Sequence, residues 1–470
     1  MEENFDQYTD EQIEEVVQRF ERMIHFNESY FFDVEDFEVI IDYYIERTNL
    51  KKTNLAIRHA IEQHPGSVTF QLKKAQYFVF ANKSEKALKL LSEIEVMDPM
   101  NTEIHITKGE VYSQLKRYDK AIEEYNKAIA GSDDLEDLYT TIAYEYENMG
   151  DYDNAILQLK KVLEINPEND ATLFELSFCY EIANRPEECM EFFRTFVDSN
   201  PYSRIGWFNL GIAFNNLEQY QEAIDAYDYA LAIDDRFSSA HFNKANSLAN
   251  LNQFRKAIET YRETFQYEEP EAMTYYYIGE CYEKLGEYEM AIDNYRLALK
   301  KDNDLGDAWL GIGIAFDELG NSLKAISFIK KAINLDPSNE DYWYLLGDTQ
   351  HKCGLLEDSI HSYQQVSMID PHHPDIWLDY SHVHLETGDV QQALETLKKG
   401  MEVQPENPDL IYRLAIYTYR SGKIKEAYNL IEEALALDFD GLDQLFSYYP
   451  NLKKDKNVLN IIETYKKLKT

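Results

Sequence analysis

Basic residues are scarce in this chain: 46 lysines and arginines stand against 86 aspartates and glutamates, a net charge of −40 over 470 residues. Affinity for nucleic acid comes mainly from Lys and Arg neutralising phosphates, so a nucleic-acid partner is not expected, and an anionic membrane surface is disfavoured for the same reason. Cysteine is sparse as well. Cys179, Cys189, Cys281 and Cys353 form no C-x-x-C pair and lie too far apart to suggest a disulfide framework. No apolar run approaches the roughly 18 residues of a membrane span, and the first ten residues lack the basic patch and apolar stretch of a secretory leader. A cytoplasmic location is therefore the expectation. Gly, Pro and Ser never gather into a linker. Also missing are G-x-x-x-x-G-K-[ST], H-E-x-x-H, G-x-S-x-G and any dinucleotide fingerprint, so no enzyme chemistry and no cofactor is expected.

What is present is a period. From Val34 to Gly441 the chain reads as twelve consecutive units of 34 residues without insertion or deletion. The twentieth position is small in every unit, from Thr53, Ala87 and Ala121 through Cys189 to Ser359, Ala393 and Ala427. The eighth is small in all but the first, where Ile41 stands. Each unit predicts a helix A, a short turn and a helix B. In the unit 204–237, Trp207, Leu210, Gly211 and Phe214 share one face of helix A, while Ala223, Tyr227 and Ala230 share one face of helix B. Small residues let the backbones approach, and Trp207 and Tyr227 fill the volume between units. Six glycines (150, 286, 320, 354, 388 and 422) take the fifteenth position, where helix A should end in a left-handed residue. Proline holds the thirty-second position seven times, and Asp133, Asp235, Glu269 and Asn303 mark joints expected to be less rigid.

The periodic block is flanked by two other pieces. Residues 1–33 are acidic, with Arg19 and Arg22 their only arginines or lysines, and Ile13, Val16, Val17, Phe20, Met23 and Ile24 predict an amphipathic helix from about Asp10 to Phe26. Its apolar stripe is expected to cap the first repeat or, alternatively, to dock on a partner or a second copy. Residues 442–470 predict a closing helix region rich in lysine. Terminal repeats need a polar outer face, and the opposite charges of the two ends also allow a homo-oligomer through the termini.

The pattern Trp207, Gly211, Phe214, Ala223, Tyr227, Ala230, repeated as Trp309, Gly313, Phe316, Ala325, Ala332 and Pro337, resembles the tetratricopeptide repeat. The resemblance covers residues 34–441. It implies an all-α, right-handed α-α superhelix, a solenoid whose concave wall is made by the A helices. An open wall of this kind offers a groove rather than the closed pocket an enzyme needs. The functional expectation is a non-enzymatic scaffold that binds a peptide or protein surface in that groove. The alternative is a structural module that self-associates through its terminal segments.

Within the groove, the fifth position supplies Phe174, Phe208, Phe242, Tyr276 and Tyr344. Asn209 and Asn243 occupy the sixth position of consecutive units, where an amide can pair with the backbone of an extended peptide; relatives in the family carry such residues as a ladder. Tyr277 and Arg413 share that position. Glu280, with Glu110, Glu147, Glu181, Glu283, Asp317 and Asp348, makes the wall acidic, so basic or apolar segments are the expected partners. The family's lysine clamp for acidic chaperone tails would need lysine at the fifth position, which none of the units has. His351 and His382, with Asp348 and Asp379 nearby, have the residue types of a metal site, although polar lining is the simpler reading and no metal is assigned. His384 is expected to pack between repeats, and His372 and His373 to lie in a turn.

Overall fold

The computed structural model describes residues 9–26 and 28–469, and α-helices with short 3-10 segments are the only regular structure among them. The stretch 1–8, read above for a leader, lies outside the described residues. Two compact units divide the chain, Met1–Asp235 and Arg236–Thr470.

In the first unit α1 (Asp10–Phe26) precedes six helix pairs. These are α2 (Val34–Glu46) with α3 (Leu50–Gln63), α4 (Val68–Phe80) with α5 (Ser84–Glu95), α6 (Thr102–Gln114) with α7 (Tyr118–Ala128), α8 (Leu135–Met149) with α9 (Tyr152–Ile165), α10 (Asp170–Ile182) with α11 (Pro186–Ser199), and α12 (Arg204–Asn216) with α13 (Tyr220–Ile233). The second unit holds α14 (Ser238–Asn250) with α15 (Phe254–Glu263), α16 (Ala272–Lys284) with α17 (Tyr288–Lys301), α18 (Gly306–Glu318) with α19 (Ser322–Leu335), α20 (Glu340–Lys352) with α21 (Leu356–Ile369), α22 (Ile376–Glu386) with α23 (Val390–Val403), and α24 (Pro408–Arg420) with α25 (Ile424–Leu437). α26 (Leu442–Tyr448) and α27 (Lys456–Lys469) close it. The first member of each pair is helix A and the second helix B. Every B helix begins at the same position of its 34-residue unit, from Leu50 to Ile424.

A simple fit sets the spacing of each pair. Where the twenty-fourth position is tyrosine and the eighth is glycine, the ring lies directly against the glycine. A Cβ on Gly211 would stand 2.4 Å from Tyr227, one on Gly279 2.6 Å from Tyr295, and one on Gly347 2.7 Å from Tyr363. The small residue is thus the seat of a ring carried by the facing helix, and the twentieth-position residues, all buried, complete the layer.

The turn after helix A is left-handed in all twelve units, although only six have glycine there. Gly150, Gly286, Gly320, Gly354, Gly388 and Gly422 have φ between 72° and 87°. Thr48, Asn82, Lys116, Asn184, Glu218 and Asn252, at the same position, have φ between 53° and 59°. Tryptophan adds a second tie. Trp207, Trp343 and Trp377 each donate their indole N–H to the proline carbonyl six residues earlier, at 2.9 Å, and Trp309 donates to the Asn303 carbonyl at 3.0 Å. Trp207 is half-buried and stacks on Tyr229 of its own repeat, 4.4 Å between centroids, so it braces one helix pair instead of filling space between units.

Most of the apolar face of α1 is covered by its own chain. Ile13, Val16, Val17, Phe20 and Met23 are buried in one cluster with Phe32, Phe37, Tyr44 and Ile57, whereas Ile24 stays exposed. At the other end Leu445, Leu452 and Val458 are buried, and α27 packs on α25. Within each unit each B helix packs on the A helix that follows it, and some successive A helices also touch (α4 with α6, α10 with α12, α16 with α18, α22 with α24).

Candidate functional site

The A-helix wall of the second unit carries a row of carboxylates held by tyrosines. The Tyr276 hydroxyl donates to Glu280 at 2.9 Å on α16, and Tyr295 donates to Glu283 at 2.9 Å. Tyr342 donates to Asp307 at 2.6 Å on α18, Tyr363 to Asp348 at 2.5 Å on α20, and Tyr344 to Asp379 at 2.6 Å on α22. Asp317 differs: Lys352 lies 2.7 Å from it and holds its carboxyl below the usual range despite burial. Burial raises Glu280, Glu283 and Asp348 above the ordinary carboxylate range, and neighbouring acids add to the rise. Burial and the same carboxylates push the Tyr276, Tyr295 and Tyr363 hydroxyls up, so they remain protonated donors near neutral pH.

The expected groove residues divide. Tyr276, Tyr277, Glu280 and Tyr344 lie half-exposed on this wall, and Phe242 packs edge-on against Tyr277 at 5.7 Å. Asn243 is half-exposed but donates to the Ser239 carbonyl of its own helix, at 2.9 Å. Arg413 stacks its guanidinium over the Tyr448 ring, 3.4 Å from the centroid. In the first unit Phe174 is 43% exposed, whereas Phe208 and Asn209 are 5% and 0% exposed. The expectation fails for those last two. Phe208 is wedged between Phe174 and Tyr227, and the Asn209 amide donates to the Leu173 carbonyl at 2.8 Å. Asn209 therefore ties α12 to α10 and, being fully buried, is out of reach of a peptide. No ladder of asparagines forms from these two residues.

The histidines also rearrange. Asp348 and Asp379 are taken by tyrosines, and it is Glu386 that meets His351 at 2.7 Å and His382 at 3.2 Å. His384 is buried against Tyr380, and His373 lies in a turn against the Tyr344 ring. In the first unit Glu147 and Glu175 face each other on α8 and α10, with the Cys179 thiol donating to Glu147 at 3.6 Å. Burial, then the Glu175 carboxylate, pushes Glu147 up to about 7. Burial and the same acids raise Cys179, and Cys189 and Cys281 are each pushed up to about 12 by burial. Thiolate character is suppressed in all three.

Profiles of the tetratricopeptide repeat match residues 72–135, 136–169, 191–236, 306–339, 354–415 and 384–445. The chain belongs to the tetratricopeptide repeat family. A profile of anaphase-promoting complex, cyclosome, subunit 3, matches residues 216–298 of this tetratricopeptide repeat protein. No curated protein matches the sequence. Among solved structures, the APC/C hetero-tetramer Cut9–Hcn1 is similar at 15% identity and a TM-score of 0.41, over 88% of this chain and 95% of that one. YrrB, described as a TPR protein with an unusual peptide-binding site, is similar at 19% identity and a TM-score of 0.33, over 38% and 93%. The C-terminal part of a TPR repeat-containing protein from Cytophaga hutchinsonii is similar at 20% identity and a TM-score of 0.45, over 54% and 99%.

A tetratricopeptide repeat protein is an interaction scaffold, and this one is an all-α solenoid of paired helices. No helix among the described residues is long and apolar enough to cross a membrane. Sequence reasoning missed the tyrosine partners of the wall carboxylates. Their signal was the spacing: Tyr342 with Asp307 and Tyr344 with Asp379 are each 35 residues apart, one repeat plus one residue, which brings adjacent A helices into register.

Proposed function

We propose that the A-helix wall of the second unit docks a basic segment of another protein, with Tyr276, Tyr277 and Tyr344 offering the apolar contact. The observation that carries this reading is the row Glu280, Glu283, Asp307, Asp348 and Asp379, whose hydrogen-bond partners are tyrosine hydroxyls and not lysine or arginine. A hydroxyl orients a carboxylate and leaves its charge in place. Half-buried negative charge gains most from a cation that displaces water beside it. A segment carrying several lysines or arginines, laid along the wall, meets a carboxylate on each of four successive A helices, and an acidic segment is repelled. The same field speeds the encounter of a basic partner at low salt.

Arginine-rich and glutamate-rich peptides of equal length, titrated calorimetrically into the full chain, test this. Binding of the arginine-rich peptide, lost in the Glu280→Gln, Asp348→Asn, Asp379→Asn triple variant, is expected. Equal binding of both peptides, or retention in the triple variant, contradicts it. The alternative of self-association through the amino-terminal helix is not favoured, because all of the apolar stripe of α1 except Ile24 is already buried by its own repeat.

A further inference from the structure

Among the described residues three clusters bring metal-ligating atoms together, and two of them are already satisfied. Glu95, His105 and Glu124 converge on α5 to α7, but Lys108 pairs with Glu95 and Lys127 with Glu124, so two ammonium groups stand where an added cation would sit. Glu147, Glu175 and Cys179 form the second, with the thiol S–H already donating to Glu147. The third has no lysine on its ligands. We propose that His351, His382 and Glu386 form a binding site for one divalent transition-metal ion of the zinc class, bridging α20 and α22.

The geometry is as follows. His382 and Glu386 are four residues apart on α22 and share a face of that helix. His351 reaches them from α20, one repeat earlier. Its Nε2 lies 2.7 Å from Glu386 Oε2, while His382 Nε2 lies 3.2 Å from Glu386 Oε1. The three ligand atoms fall within 4.8 Å of one another, and the imidazole planes cross at 80° with centroids 5.7 Å apart. Zinc takes nitrogen and carboxylate oxygen at roughly 2.0–2.2 Å, which sets tetrahedral neighbours roughly 3.3–3.6 Å apart, so small side-chain rotations suffice. An ion would take the place of the protons now shared between Glu386 and the two rings.

The far side of His382 is also arranged. Its Nδ1 lies 3.1 Å from the Tyr448 hydroxyl, and Arg413 donates to that same oxygen. With Nδ1 protonated and donating to Tyr448, the Nε2 lone pair is directed at the ion, the usual role of an outer hydrogen-bond partner. Arg413 opposes a cation here; Asp348 and Asp379 on the same wall favour one. Two imidazoles and one carboxylate leave at least one coordination position open. The three side chains are 30%, 32% and 41% exposed, so water or a donor from a docked chain can fill it. This site does not depend on the peptide-docking reading, since its test reads the metal alone.

Metal-stripped full-length protein is titrated with Co²⁺ and then with Zn²⁺. One equivalent of Co²⁺ giving the intense visible bands of a four- or five-coordinate ion, displaced by Zn²⁺, is expected. His351→Ala with His382→Ala abolishes the bands while circular dichroism stays native, Tyr448→Phe weakens binding about tenfold, and His372→Ala in the exposed turn changes nothing. Should the double variant lose helical signal, His351→Asn alone is read in its place. Bands that survive loss of the two histidines, or no bands in the native chain, overturn the site.

Discussion

Lys116 and Glu218 sit in the left-handed region, φ 56° and 58°, at a position where half the repeats have glycine. A side chain there costs roughly 1–2 kcal/mol relative to the right-handed alternative. Glu218→Gly is therefore expected to stabilise the fold by about 1 kcal/mol, and Gly150→Ala to destabilise it by a similar amount, both read from urea denaturation. The ring seats give a sharper contrast. Gly211→Ala places a methyl 2.4 Å from the Tyr227 ring and is expected to cost about 1–3 kcal/mol. The Tyr227 hydroxyl is buried with no partner, so Tyr227→Phe should leave stability unchanged or raise it. Tyr363→Phe should lower it, because Asp348 then loses its donor. If the two Phe variants melt alike, the assignment of these hydroxyls is wrong.

At the level of the helices, the repeat register was legible from small residues, glycine and proline, because a 34-residue period fixes which positions must be thin and where each helix must stop. The first residues of the B helices bear this out in unit after unit. Two of the four joints without proline do differ: α7 and α15 stop early and continue as 3-10 turns, Ile129–Gly131 and Thr264–Gln266. The face each wall residue presents was less legible. Phe208 and Phe174 hold the same position in adjacent repeats, yet Tyr227 in the facing helix closes over Phe208, a contact that depends on a residue nineteen positions away. The tyrosine-to-carboxylate bonds were hidden likewise: Tyr342 to Asp307 and Tyr344 to Asp379 cross between repeats, and Tyr295 to Glu283 and Tyr363 to Asp348 cross from helix B to helix A. The pair Glu147 and Glu175, on α8 and α10, belongs to this scale too. Glu147 is raised to about 7, so the folded chain holds its proton where the unfolded chain has released it. Its favourable contribution is complete below the ordinary carboxylate range and is lost as pH rises through about 7. Glu147→Gln should thus gain roughly 1 kcal/mol over the native chain at pH 8 after solvent screening, and little at pH 4, in melts recorded across that range.

For the whole molecule, a net charge of −40 makes association with a basic partner a matter of ionic strength. Raising salt from 0.05 to 0.5 M should weaken binding to the second unit's wall mainly through a slower on-rate. The overall charge by itself would give that result with any basic peptide, so the decisive comparison holds charge constant. The most direct measurement is the affinity of an arginine-rich peptide for two variants of equal net charge: Glu280→Gln, Asp348→Asn, Asp379→Asn on the wall, and three exposed B-helix acids neutralised in the same way, Glu289→Gln, Asp293→Asn and Glu357→Gln. Loss of about tenfold or more in the wall variant, with the B-helix variant close to native, is the result predicted here. Equal losses in the two would show that the wall has no special role and that only the total charge attracts the peptide.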